Sequence, residues 1–384
     1  MVLFLRGLTL IHRYIHIFVL FIFFLIFLLW TRKGSQVTEI KLAVLTILKD
    51  FTNINDYQLA METFECYCIY QRYEWVIIDV SQNDTLKLLC PHNEFFFQRH
   101  CVTAQFLQEN DNFDYVLFID SDMGVINPKK RIEEYITDDK DIIFYNRIWN
   151  FEVMAGSYLA KNTKFVINFL RMWANYNYRL PHSFHGSDNA AIHTVLLHIA
   201  SISVKHCEPL WNISKNYNDL FIYEACVRAQ LETNEKWKRK ISVLPKGKSW
   251  ARDGWLTNSK WSEEDFIFHG WQKRRLNKHI FASWKLPFLS TKFNMSICGT
   301  HNYIENWKYN KSFVSESNEI RTQLNRIITL KDNEYYRKKK KAENLLNNLM
   351  KNDLTWHYNS SINSSLLEIP LNMQKQNLNS QILV

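Results

Sequence analysis

From residue 41 onward the chain alternates short apolar runs with longer stretches in which apolar residues recur every three or four positions. Lys41-Leu-Ala-Val-Leu-Thr-Ile-Leu48, Glu74-Trp-Val-Ile-Ile-Asp-Val80 and Tyr115-Val-Leu-Phe-Ile119 are runs of the first kind. Consecutive apolar positions bury both faces of an extended segment, so each predicts a strand of a largely parallel sheet. The intervening stretches 56–70 and 95–109 carry helical spacing, and the order strand, helix, strand, helix, strand predicts an α/β half with right-handed crossovers. Further along, the pattern predicts a helix over 128–136, a fourth strand over 141–145 and an edge strand over 151–159. A helix over 163–176 with Phe165, Val166, Phe169, Leu170 and Trp173 on its apolar face follows, and then an apolar helix running to Ile199. A basic, Trp-rich loop is expected over 236–260. From 315 the chain turns polar, predicting a solvated helix to about 351 and a disordered, Asn/Ser/Gln-rich end.

The N-terminal pattern is different. Residues 14–30 carry no ionisable side chain except His16 and the tyrosine at 14, while Arg6, Arg13, Arg32 and Lys33 lie outside. Seventeen residues at ~1.5 Å each make a span of roughly 25 Å. No small-residue cleavage site follows, so the run predicts a transmembrane signal anchor. Asn-x-Ser/Thr triplets at Asn83, Asn212, Asn294, Asn310, Asn359 and Asn363, and seven cysteines, predict a lumenal body with up to three disulfides and one thiol. The layout expected is a cytoplasmic tail at 1–13, the anchor at 14–30, a linker at 31–40, a catalytic domain at 41–314 and a tail at 315–384. The corresponding localisation is a single-pass type II membrane protein of the Golgi or ER.

Composition narrows this picture. With 384 residues, 47% of them hydrophobic, the chain can bury one large core or two joined lobes. The net charge of +9 is dispersed, partly in 246–248, 273–275 and 337–341. Such a distribution suits a diphosphate or an acidic membrane surface, and no nucleic-acid partner is expected.

The chemistry centres on the end of the third strand. The apolar run stops at Asp120-Ser-Asp122, and ligands of open α/β sheets collect at the carboxyl ends of strands. Two adjacent acids repel unless a cation or base neutralises them, so the pair implies either a divalent cation or a tight turn capped by both. Asp139-Lys-Asp141 has the same spacing, but it precedes a strand and reads as a solvated turn. Position at a strand end, not spacing, distinguishes the first pair.

The segment Phe118-Ile-Asp-Ser-Asp-Met-Gly-Val-Ile-Asn-Pro128, with His185-Gly-Ser-Asp-Asn189 and Phe268-His-Gly-Trp-Gln272 downstream, resembles a nematode family of membrane-anchored proteins. That family is similar to nucleotide-diphospho-sugar transferases of the GT-A fold, among them galactosyl- and xylosyltransferases acting on mannan and xyloglucan. The resemblance covers about 41–290 and includes the Trp-rich segment 250–261. It implies a mixed, mainly parallel sheet with helices on both faces, preceded by one transmembrane helix. It also implies transfer of a hexose from a nucleotide diphosphate sugar to a glycan or glycoprotein acceptor, with retention of configuration, dependent on Mn2+ or another divalent cation.

By the same resemblance Asp120, Asp122 and His269 hold the metal, and Asp120, Ser121, Gly270 and Lys273 contact the nucleotide sugar. Asp188 or Asn189 supports the transition state, and His185 and Trp271 meet the acceptor. Each has a plain structural alternative: a buried histidine for His269, a helix-capping acid for Asp188, a solvated basic turn for Lys273 and a core tryptophan for Trp271. The Ala-Ala-Ile-His that follows Asn189 departs from the characterised enzymes, so donor and acceptor do not carry over, and neither does retention, which rests on fold-level analogy alone. A non-catalytic descendant that binds a glycan or a protein is the competing expectation.

Overall fold

The computed structural model describes Ile40 to Asn352 except residue 138, together with Val19, Ile22 and Phe23. Its strands are β1 (Leu42–Leu48), β2 (Glu74–Asp79), β3 (Tyr115–Ile119), β4 (Met123–Val125), β5 (Ile142–Tyr145), β6 (Ser157–Lys161), β7 (Ile241–Leu244), β8 (Ala251–Asp253) and β9 (Ile267–His269). The main helices are α1 (Ile54–Gln71), α2 (Asp84–Leu89), α3 (Phe95–Glu109), α4 (Lys164–Asn175), α5 (Ser187–Ile199), α6 (Glu208–Asn212), α7 (Tyr217–Leu231) and α8 (Ser317–Asn352).

Six strands form the central sheet in the order β2-β1-β3-β6-β5-β7. Only β6 opposes the common direction, pairing antiparallel with β3 and β5, so the sheet is mixed and mostly parallel. Every residue of β1 and β3 is buried, as their unbroken apolar runs require. One face packs on α1 through Ala60, Phe64 and Tyr67, and the other packs on α3, α4 and α5 through Phe97, Leu107, Trp173 and Val195. At about 1.5–3 kcal/mol for each large apolar side chain removed from water, these two layers supply the main driving force for folding. A second, three-stranded sheet, β4-β9-β8, stands beyond the carboxyl end of β3.

The fold departs from expectation where local pattern is a poor guide. The run 151–159 is not an edge strand: β6 starts at Ser157 and lies between β3 and β5, while the residues before it fold back through an Asn146–Val153 bridge. The stretch 128–136 makes only a 3₁₀ turn at Ile132–Tyr135. The basic loop 236–260 contains β7 and β8, and α6 and α7 were not anticipated. The helix α8 is less solvated than its polarity suggests. Ile320, Leu324, Ala342 and Leu346 are buried on the body, and Lys338 donates its ammonium to the Asn218 carbonyl at 2.8 Å.

Three disulfides, Cys66–Cys298, Cys90–Cys101 and Cys207–Cys226, leave Cys68 as a buried thiol. Asn83, Asn212, Asn294 and Asn310 are all exposed, while Asn359 and Asn363 lie outside the described residues. The expected type II membrane localisation, and with it the membrane as a partner, is corrected: among the described residues no helix is long and apolar enough to cross a membrane. The segments 1–13 and 14–30, apart from Val19, Ile22 and Phe23, lie outside the described residues, as do 31–39 and 353–384.

Candidate functional site

The two sheets meet at the residues that end β3. Leaving β3, the chain turns through Asp120 and Ser121, both half-buried, and enters β4 directly after Asp122. β4 pairs antiparallel with β9, with Met123 opposite His269. This pairing sets His269 beside Asp122, and the turn after β9 then wraps the acid. The amides of Gly270 and Trp271 donate to the Asp122 carbonyl at 3.0 and 2.9 Å, and Gln272 donates Nε2 to its carboxylate at 2.7 Å. Gly270 has φ of 93°, a backbone region that favours glycine.

One ligand atom from each of Asp120, Asp122 and His269 lies within 4.8 Å of the others. His269 presents Nε2 3.5 Å from Asp122 Oδ1, and its Nδ1 lies 2.7 Å from Asp253 Oδ1. Burial pushes the imidazole pKa down, but the Asp122 and Asp253 carboxylates outweigh it and the net shift is upward. Burial likewise pushes Asp120 up, against the pull of the Arg99 guanidinium. Two carboxylates and an imidazole are a donor set that suits Mn2+ or a similar divalent ion.

Asp120 is held from behind. Its amide donates to the Gly156 carbonyl at 2.9 Å, and its carboxylate takes an ion pair from Arg99 on α3. A methyl group at Gly156 would sit 2.2 Å from Asp120 Oδ2, so only glycine permits this packing. Arg99 is itself buried, its guanidinium over the rings of Phe96 and Phe118, and its second arm donates to Asp188 at 2.6 Å.

Asp188, placed near the start of α5, is completely buried. His100 lies 3.0 Å from the same carboxylate oxygen and stacks on Trp173 with ring centroids 3.5 Å apart. Burial raises the Asp188 carboxyl, yet Arg99 and His100 outweigh it and hold it below the usual range, while burial takes His100 down to about 4. The expectation that Asp188 faces a sugar is therefore corrected. Its carboxylate reaches Asp120 only through Arg99.

The other expected site residues divide. Asn189 is half-buried beside Asp188. His185 is about a third exposed, with Nδ1 accepting from the Ser187 amide and Nε2 3.7 Å from Glu94. Lys273 is exposed on a 3₁₀ turn, Lys273–Leu276, tied down where the Arg274 amide donates to Asp56 at 2.7 Å. Trp271 is corrected from acceptor contact to core: it is 1% exposed, with Trp284 stacked on it at 5.4 Å and Phe288 on edge at 5.5 Å. No sugar could reach its faces.

Sequence reasoning missed Arg99, Gly156, Arg147 and Asp253. Asp253 lies inside the 250–261 segment already noted, but nothing in its spacing announced a histidine partner. Tyr57 on α1 also feels the site: burial raises its hydroxyl pKa, and the Asp122 charge adds to the shift.

Among solved structures the chain is similar to a glycosyltransferase involved in the glycosylation of the major capsid of PBCV-1. Identity is 11%, with 59% of this chain and 92% of that one covered, at a TM-score of 0.34. The glycosyltransferase GlyE of Streptococcus pneumoniae TIGR4 matches at 14% identity, over 71% of this chain and 65% of that one, with a TM-score of 0.36. A197 from STIV matches at 15% identity, over 34% of this chain and 67% of that one, with a TM-score of 0.22. No curated protein matches the sequence. Likenesses this distant leave the function to be argued from the residues themselves. The model of the family described as "Protein of unknown function, DUF273" matches residues 64–286, more than half of the chain and every residue of the ion-pair networks around Asp120 and His269, and the protein belongs to that family.

Proposed function

We propose that the protein is a divalent-cation-dependent glycosyltransferase that moves a hexose from a nucleotide diphosphate sugar to a glycan or glycoprotein acceptor. The observation that carries this reading is the convergence of Asp120 and Asp122, from the turn between β3 and β4, with His269 of β9, within 4.8 Å at the carboxyl end of β3. That edge of an open α/β sheet is where nucleotides are held. Asp120, Asp122 and His269 would hold Mn2+ or a similar ion, which neutralises charge gathering on a departing diphosphate.

The chain's own groups divide the remaining work. Arg99 keeps the Asp120 carboxylate turned toward the cluster and shares its charge with Asp188, so Asp188 acts as a positioning residue. Gln272 and the Gly270 and Trp271 amides fix Asp122 from the opposite side. In this reading Ser121 and Lys273 would contact the donor, Asn189 would support the transition state, and His185 would meet the acceptor.

The test is a screen of UDP- and GDP-sugars with the full-length protein and Mn2+, with product mass as the readout. Transfer or hydrolysis at the anomeric carbon is expected, lost on chelation and in Asp122→Asn. Cleavage within the diphosphate, or full activity in Asp122→Asn, overturns the reading.

A further inference from the structure

We propose that Asp253, oriented by Arg147, is a positioning residue that holds His269 with Nε2 as its bare, cation-facing nitrogen and thereby sets the affinity of the site for a divalent cation. The inference rests on the cation reading above and extends it to two residues outside the cluster. Asp253 is paired with His269 in the parallel register of β8 and β9, so the two side chains are lateral neighbours on one face of the small sheet. The imidazole Nδ1 lies 2.7 Å from Asp253 Oδ1, and because an ionised carboxylate only accepts, the proton of this bond belongs on Nδ1. A neutral imidazole carries a single proton, so committing it to Nδ1 leaves Nε2 with its lone pair directed at Asp122, 3.5 Å away.

Asp253 is 5% exposed, and a carboxylate that deep stays charged only beside a cation. Arg147 supplies it. Its Nη2 lies 3.3 and 3.5 Å from the two Asp253 oxygens, and its Nη1 lies 3.4 Å from Glu152, which is 4% exposed. The chain Glu152, Arg147, Asp253, His269 therefore runs from the loop after β5 to the candidate metal position. A carboxylate behind a ligating imidazole fixes the ring's rotation and tautomer and makes the outer nitrogen more basic. Asp253 does not ligate directly, since its oxygens are not among the atoms that converge with Asp120 and Asp122. A purely space-filling role makes a different forecast, because asparagine has the same shape.

The test uses the full-length protein and Mn2+ alone, with free Mn2+ followed by electron paramagnetic resonance and thermal unfolding run in parallel. Asp253→Asn is expected to bind roughly 10–100-fold more weakly than wild type, and Arg147→Gln to be weakened less. In metal-free protein, 15N NMR of the neutral His269 ring should show the proton on Nδ1 in wild type and a shift toward the Nε2–H form in Asp253→Asn. Affinity of Asp253→Asn within about twofold of wild type, far from the loss expected on removing a carboxylate behind a ligating imidazole, overturns the proposal while leaving the cation reading intact. If wild type does not retain Mn2+, the cation reading fails, and the 15N spectrum still decides the positioning: a wild-type ring protonated on Nε2 overturns it. If Asp253→Asn does not fold, Arg147→Gln decides, and unchanged affinity with an unchanged tautomer overturns the proposal.

Discussion

Arg99→Met isolates the joint between the candidate metal position and the buried core. Methionine retains an apolar stem between Phe96 and Phe118, so the change removes charge and hydrogen bonds more than volume. An exposed ion pair would contribute about 0–1 kcal/mol. Here the guanidinium is 3% exposed and Asp188 is 0% exposed, and losing one partner of a buried pair costs about 3–5 kcal/mol. The pH dependence follows from signs. Asp188 is held below its ordinary range, so it contributes stability above its unfolded pKa of about 3.9 that is lost as pH falls through the lower folded value. Without Arg99 burial prevails, the folded pKa moves up, and the variant's deficit is complete near neutrality and relieved as Asp188 protonates. His100 acts in the same direction. Burial, with a further push from Arg99, holds it to about 4, and removing Arg99 lowers the cost of charging it below an unfolded pKa of about 6.5. Urea unfolding of both proteins at about pH 7 and about pH 4.5, compared at matched slopes, measures the gap at each pH. A gap below about 1 kcal/mol at neutrality, the range of an exposed pair, or one that widens on acidification, would refute the reasoning.

Other predictions follow from neighbouring contacts. Gly156→Ala puts a methyl group 2.2 Å from Asp120 Oδ2 and 2.7 Å from Met154 Cε; it should cost about 1–3 kcal/mol and weaken Mn2+ binding in a calorimetric titration, so unchanged affinity would count against the assigned place of Asp120. Glu224 has both carboxylate oxygens buried without a partner, and burial, with Glu152 adding to it, raises its pKa well above 4.5. An acid raised on folding costs stability between its unfolded and folded pKa values, so Glu224→Gln should be at least as stable as wild type at about pH 8 and lose less on going from about pH 5 to 8; chemical denaturation checks both, and a destabilised variant refutes it. Deleting 315–384 removes the buried Ile320, Leu324, Ala342 and Leu346, on the order of 6 kcal/mol by apolar burial alone. That rivals a whole domain's stability, so the truncated protein should lose its cooperative thermal transition, and a wild-type melting curve would show α8 to be dispensable.

Much of the scaffold was legible in the chain. The helix expected over 95–109 is α3 to the residue, and the strands expected from 41, 74 and 115 are β1, β2 and β3 within a residue or so at their ends. Burial on both faces leaves its mark on consecutive residues. The position of Asp120 and Asp122 at the end of β3 followed from the same pattern. The strand β6 was misplaced because an apolar run reports burial, not which neighbours it pairs with. The same limit applied to Trp271, whose aromatic ring is as consistent with a sugar platform as with the core it occupies.

The sequence by itself determined an α/β chain, the carboxylate pair at a strand end and a cysteine count that allows three disulfides and one thiol. Only the tertiary structure decided that Asp188 answers to Arg99 and His100, that Gly156 makes room for Asp120, and that Asp253 stands behind His269. The physical reason is one of range. Strand and helix propensity are set by residues a few positions apart, whereas these contacts join side chains as far as 89 positions apart. They exist only because β6 lies beside β3, β8 lies beside β9 and α3 packs against α5, pairings that no local spacing records.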